Sequence, residues 1–234
     1  MRKAAVRAWL AAAFSAQAAY ALAVEADSAG KGDTVELDLR DTLSRTAPEA
    51  SAAEMRTLRD EIGADDTTSV NGILRGAFTA PGRDETLYLV QRGGPQAADP
   101  LGPQGVEFAI FRDGRLARRL ATDAGNTIES AIETGGIDEL VLATQSYQMG
   151  VAVTRITLVS LAGERVEVLA SFPEARVDRC GDARFGGDVE ASVIRIRHVA
   201  GHAQPEVATQ RYKAACEDGQ APRAEKFRVV APAK

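Results

Sequence analysis

The spacing of apolar residues changes character along this chain, and the changes divide it. Over 34–39 (TVELDL) polar and apolar residues alternate, placing Val35, Leu37 and Leu39 on one face of a strand. Over 51–62 the spacing becomes helical, with Met55, Leu58 and Ile62 on one face. Ser51 followed by Glu54 is a capping-box signature, in which hydroxyl and carboxylate satisfy free amides at a helix start. Gly63 stands where a left-handed residue ends such a helix. The polar stretch 63–72 (GADDTTSVNG) reads as a linker.

From residue 73 onward the pattern is β. Val106, Phe108 and Ile110 alternate with other residues, and Asp113-Gly114 can both take positive φ in a tight hairpin turn. A second hairpin fits 151–172, turning at Ala162-Gly163, with strands rich in Val, Ile and Thr. Residues 191–199 and 226–230 are further strands.

Two segments echo each other. PGRDETLYLV begins at 81 and GGIDELVLAT at 135, so Gly82, Asp84 and Glu85 are answered by Gly136, Asp138 and Glu139, each 54 residues on. Each copy runs turn, apolar strand, loop, hairpin. The expected fold is therefore mainly β: antiparallel sheets from β-hairpin repeats of about 54 residues, as an open propeller-like stack or a β-sandwich, with a short N-terminal helical segment. Residues 73–234 hold three such units, too few for a closed propeller of four-stranded blades.

The echo resembles the FG-GAP and VCBS class of β-repeats, whose turns read roughly Asp-x-Asn-x-Asp-Gly-x-x-Asp before an apolar strand and cage calcium. AFTAPGRDETLYLV and AIETGGIDELVLAT keep the glycine, the last acidic position and the strand. Ala77, Thr79 and Pro81 replace the earlier ligands in one copy, and Ala131, Glu133 and Gly135 in the other. Calcium needs six or more oxygens, so the resemblance implies the blade shape without the ion. It also implies that Asp84, Glu85, Asp138 and Glu139 serve backbone amides rather than catalysis.

Composition adds an address. Residues 1–23 carry Arg2, Lys3 and Arg7, no acid, and an alanine-rich apolar stretch at 8–23 that is short for a bilayer span. This reads as a cleaved secretory signal ending after Ala23, an uncleaved amphipathic anchor being the other reading. The expected organisation is 1–23 signal, 24–72 strand, helix and linker, and 73–234 a β-rich domain; the chain is exported, to periplasm or medium. Removing the signal leaves 25 basic against 33 acidic residues, with no basic run longer than Arg118-Arg119. That disfavours nucleic acid as a partner. No later run is long enough to cross a bilayer as a helix. Nine aromatics remain, which weighs against a sugar-binding surface. Cys180 and Cys216, an even count in an exported chain, are expected to form one disulfide.

Candidate chemistry is sparse. Neither a Gly-x-Ser-x-Gly elbow nor a phosphate-binding Gly-x-x-x-x-Gly-Lys occurs. His198 and His202 are four apart, but their surroundings alternate like a strand and Gly201 would weaken a helix, so they read as ordinary histidines rather than metal ligands. No catalytic residue, metal or cofactor is assigned. Tyr147 and Met149, in the stretch 144–150 (TQSYQMG) read as a loop between strands, are the candidate contact residues. The functional expectation is a non-enzymatic module that binds another protein. The alternative is a periplasmic or secreted hydrolase whose histidine, acid and serine meet only in space.

Overall fold

The computed structural model describes residues 34–41, 49–93, 105–181, 187–199, 202 and 204–230; residues 1–23, read above as a signal, lie outside them. The protein is mainly β, with antiparallel sheets and, among the described residues, one short α-helix. The helix, α1 (Ala52–Ile62), starts where its cap specifies. The Ser51 hydroxyl accepts from Glu54 N–H at 3.2 Å, and the Glu54 carboxylate accepts from Ser51 N–H at 2.8 Å. Gly63 ends it with φ 68.

Beneath α1 lies a four-stranded meander: β1 belongs to the other sheet (Thr34–Asp38), and the meander runs β2 (Ser69–Gly76), β3 (Glu85–Gln91), β4 (Val106–Arg112) and β5 (Arg115–Ala121). β2 thus begins inside the stretch read as linker, and the boundary drawn at 72/73 falls within it. Leu58 and Ile62 of α1 bury against Tyr88, Val90, Ala109 and Phe111. Each such side chain contributes about 1.5–3 kcal/mol by leaving water. Arg92 holds the end of α1, donating to Ile62 O at 2.6 Å and Gly63 O at 3.2 Å, while Glu107 pairs with Arg92 and Arg119. Tyr88 meets Phe111 edge-on, and burial together with the Glu54 carboxylate pushes its phenol up to about 12. Because α1 covers one face and the second sheet the other, Val106–Phe111 is buried throughout, and the alternation of Val106, Phe108 and Ile110 marks only the inner side. The β4–β5 turn has Asp113 at φ 51 and Gly114 at φ 74, as its sequence predicts.

The larger sheet also follows chain order: β6 (Thr127–Thr134), β7 (Ile137–Gln148), β8 (Val151–Ser160), β9 (Glu167–Asp178), β10 (Asp188–Arg197), β11 (Glu206–Ala215) and β12 (Arg228–Val229). It curls into a half-barrel. β7 shows how, since Leu140 and Leu142 point to the small sheet while Val141 and Ala143 enter the half-barrel with Ile156, Leu158, Ala191 and Ile194. A strand buried on both faces reads as an unbroken apolar run. The β8–β9 connection spans 161–166 rather than a two-residue turn at Ala162-Gly163.

One feature breaks the simple meander. β9 pairs with β10 only over Arg176–Asp178, and β1 takes the rest of that edge, from Thr34–Arg197 to Asp38–Val193. Arg176, buried at this fork, donates to Leu39 O at 2.7 Å and Arg40 O at 3.0 Å and pairs with Asp178. Leu37 and Leu39 thereby enter the half-barrel core, on the face their spacing predicts.

Candidate functional site

The β7–β8 hairpin runs past β6 on one side, while β9 follows β8 out to Ala152 on the other. β6 pairs with β7 only as far as Thr127–Ala143, whereas β7 continues against β8 to Gln148–Val151. A two-residue turn, Met149 at φ 49 and Gly150 at φ 84, closes it. Both residues occupy left-handed space, the geometry that suits the twist of paired strands. The stretch 144–150 is therefore not a loop but an arm of two strands and a tight turn. The sequence reading missed this because no Asn-Gly or Asp-Gly marks the turn. The arm displays Tyr147 at 64% and Met149 at 79% exposure. From Leu140 to Thr154 the chain has no charged residue, although 26% of the sequence is charged.

The turn end of the arm is braced. A Cβ built on Gly181 would lie 2.9 Å from Gly150 O and 3.2 Å from the Tyr147 hydroxyl, so the backbone after Cys180 packs closely against the turn. Cys180 is bonded to Cys216 with Cα atoms 5.6 Å apart, as expected of the only two cysteines. Beside the bridge, Arg179 reaches Asp188 at 2.8 Å and Glu190 at 3.2 Å, and Lys213 reaches Asp188 at 2.6 Å. Burial pushes the Asp188 carboxyl up, but hydrogen bonds from Lys213 and Arg179 outweigh it and hold the group below its ordinary range. The same contact raises Lys213 and Arg179.

A second group of polar residues sits where β6 and β10 end and β7 begins. Glu139 is buried and accepts the Thr134 hydroxyl at 3.1 Å. Burial pushes its carboxyl up, while Thr134 and the His198 imidazole pull the other way and Glu167 adds to the rise. His198 Nδ1 is buried without a hydrogen-bond partner. The Thr134 hydroxyl donates to the acid and not to the imidazole. A Ser-His-Asp type of relay needs the nucleophile on the base. His202 lies apart, exposed, after Val199, whose carbonyl accepts its N–H at 3.0 Å. Among the described residues no three His, Cys, Asp or Glu side chains gather as metal ligands.

Of the four acids in the echoed turns, two serve the backbone. Glu85 accepts from Phe78 N–H at 3.0 Å, Thr79 N–H at 2.9 Å and the Thr79 hydroxyl at 2.5 Å, and pairs with Arg112 at 2.7 Å. Asp138 reaches across to the other sheet and accepts from Ala77 N–H at 2.7 Å. Asp84 lines a shallow polar pocket of about 240 Å³ with Thr57, Thr86, Tyr88 and Asp113. A more open groove of about 400 Å³ follows β5 past Leu120, Ala124, Val166 and Val168. No described helix is long and apolar enough to cross a membrane. No family model, no curated protein and no solved structure matches this chain.

Proposed function

We propose that this chain is an exported, non-enzymatic module that binds protein through the β7–β8 arm. The observation that carries the reading is the arm itself: an uncharged hairpin whose β7 edge is left uncovered beyond β6, with Tyr147 and Met149 exposed at its end. Aromatic and methionine side chains dominate the centres of protein contacts, where charge is depleted. Export is supported by the pattern of residues 1–23 and by the disulfide, a bond that persists in oxidising compartments.

The repeat reading belongs with this proposal. Strands β2–β5 and β6–β9 are each four-stranded antiparallel meanders, each has a register shift early in its first strand, and their faces stack through Leu87, Leu89, Phe108, Leu140 and Leu142. These features support two blades of one β unit, as in the FG-GAP resemblance, with the second blade extended by β10–β12.

Cross-linking in the native host and recovery of the protein is expected to yield a stoichiometric protein companion that is lost from the Tyr147→Ala/Met149→Ala variant. A companion indifferent to those substitutions, or none, overturns the reading. The hydrolase alternative draws on the buried Glu139 feeling the charge of His198; hydrolysis of ester or peptide substrates that survives His198→Ala removes it.

A further inference from the structure

Beyond the side chains of the arm, its backbone is open. Thr144–Gln148 has β8 on one side and, among the described residues, no strand on the other. Ala143 turns its carbonyl to that open side, where it accepts from Asn126 N–H at 3.1 Å. Alternate residues of a strand repeat the direction, so Gln145 and Tyr147 aim N–H and C=O groups outward. Other sheet edges carry the usual guards against pairing, which are charge and proline. β5 has Arg115, Arg118 and Arg119; β11 follows Pro205 and carries Glu206 and Arg211. The arm has neither guard.

We propose that this edge pairs antiparallel with the same edge of a second copy of the chain, about a two-fold axis through Ser146. The inference rests on the arm being the contact surface proposed above. In this register Gln145 faces Tyr147 of the second copy and Tyr147 faces Gln145, so outward backbone groups meet outward groups and each pair exchanges both hydrogen bonds. A register displaced by one residue sets outward groups against inward ones and makes none of these bonds.

In this register Gln148 of the second copy lies directly opposite Thr144 on the same face, so two uncharged polar side chains meet there. Met149 then arrives where the neighbouring β6 begins to cover β7, so the arm is as long as the slot it fills. No like charges oppose one another anywhere along the contact. Its size, one short strand segment from each copy, is below that of permanent dimers, so the pair exchanges with monomer.

Sedimentation equilibrium of the purified chain from micromolar to millimolar concentration reads the pairing. A monomer–dimer equilibrium is expected. Ser146 is exposed, and the axis sets it against itself, so Ser146→Lys and Ser146→Glu each place like charges in contact. Each variant alone is expected to dimerise at least tenfold more weakly, and an equimolar mixture of the two to recover the dimer. Recovery in the mixture shows that both variants are folded. A wild-type chain that stays monomeric at millimolar concentration overturns the proposal, as does a dimer indifferent to Ser146→Lys. If self-association fails while a different protein is still captured through Tyr147 and Met149, only the pairing falls and the binding reading stands.

Discussion

The two echoed turns place a glutamate at corresponding positions and give it opposite circumstances. Glu85 is buried, yet surrounded by donors: two backbone amides, one hydroxyl and Arg112. Burial pushes its carboxyl up, but the bonds from Thr79, Arg112 and Phe78 outweigh it and leave the group below its ordinary range. Glu139 is buried with one hydroxyl bonded to it, and there burial wins. The difference comes from the turns. In the first copy residues 77–84 form a long connection that wraps its amides around Glu85, whereas in the second Gly135 and Gly136 turn within two residues and leave no amides to offer. Sequence identity at a position thus fixed the residue and not its electrostatics; the number of donors the loop could supply decided that.

Removing the better-served acid should break the contrast most severely. Glu85→Ala leaves two backbone amides, the Thr79 hydroxyl and Arg112 without their acceptor and is expected to cost about 3–5 kcal/mol in urea unfolding. The cross-sheet contact comes next. A Cβ on Gly76 would overlap the Asp138 carboxylate, so Gly76→Ala is expected to cost about 1–3 kcal/mol. Combining it with Asp138→Ala should cost less than the two separately, because the clash and the cap share one atom; strict additivity would show that they do not interact.

The pH dependence sharpens the contrast by sign. The Glu85 pKa is lower folded than unfolded, so its contribution is complete above the unfolded value and is lost as pH falls through the folded one. The Glu139 pKa is higher folded than unfolded, so its effect is favourable below the unfolded value and is lost as pH rises through the folded one. Glu139→Gln is therefore expected to be more stable than the natural chain at neutral pH, by about 1 kcal/mol, with the gain fading under acid conditions. A loss of stability at neutral pH would show that the carboxylate is better solvated than its burial indicates. The smallest effect concerns calcium. With Ala77, Thr79 and Pro81 in place of the acidic and amide ligands, millimolar calcium is expected to leave Tm unchanged, and a rise of several degrees reversed by a chelator would restore the ion to these turns.

How far the sequence could be read follows from the range of the interactions. Local signals were legible: the Ser51–Glu54 cap, the stop at Gly63, the Asp113-Gly114 turn, and the inward face of Val35, Leu37 and Leu39 all depend on residues within a turn or two. What escaped was long-range. Nothing in 63–72 announces that Ser69–Gly72 pairs with Leu89–Gln91. The arm was hidden for a different reason, since Met149-Gly150 makes a turn without the usual Asn or Asp. Its lack of charge over fifteen residues was the signal that could have found it. Arg176 was unreadable, because an arginine in a strand looks solvent-facing until the strand that it caps arrives from the other end of the chain.

That last arrangement sets an order of events. β1 is the earliest described strand to be synthesised, yet the carbonyls of Leu39 and Arg40 meet Arg176 across separations of 137 and 136 residues, and its hydrogen-bonding edge belongs to β10. It has nothing to pair with until β9 and β10 have formed and parted. Closing so long a loop is slow relative to forming the hairpins that follow one another along the chain. This earliest described strand thus seats only after β9 and β10, and until then the Leu37 and Leu39 side of the half-barrel core stands open.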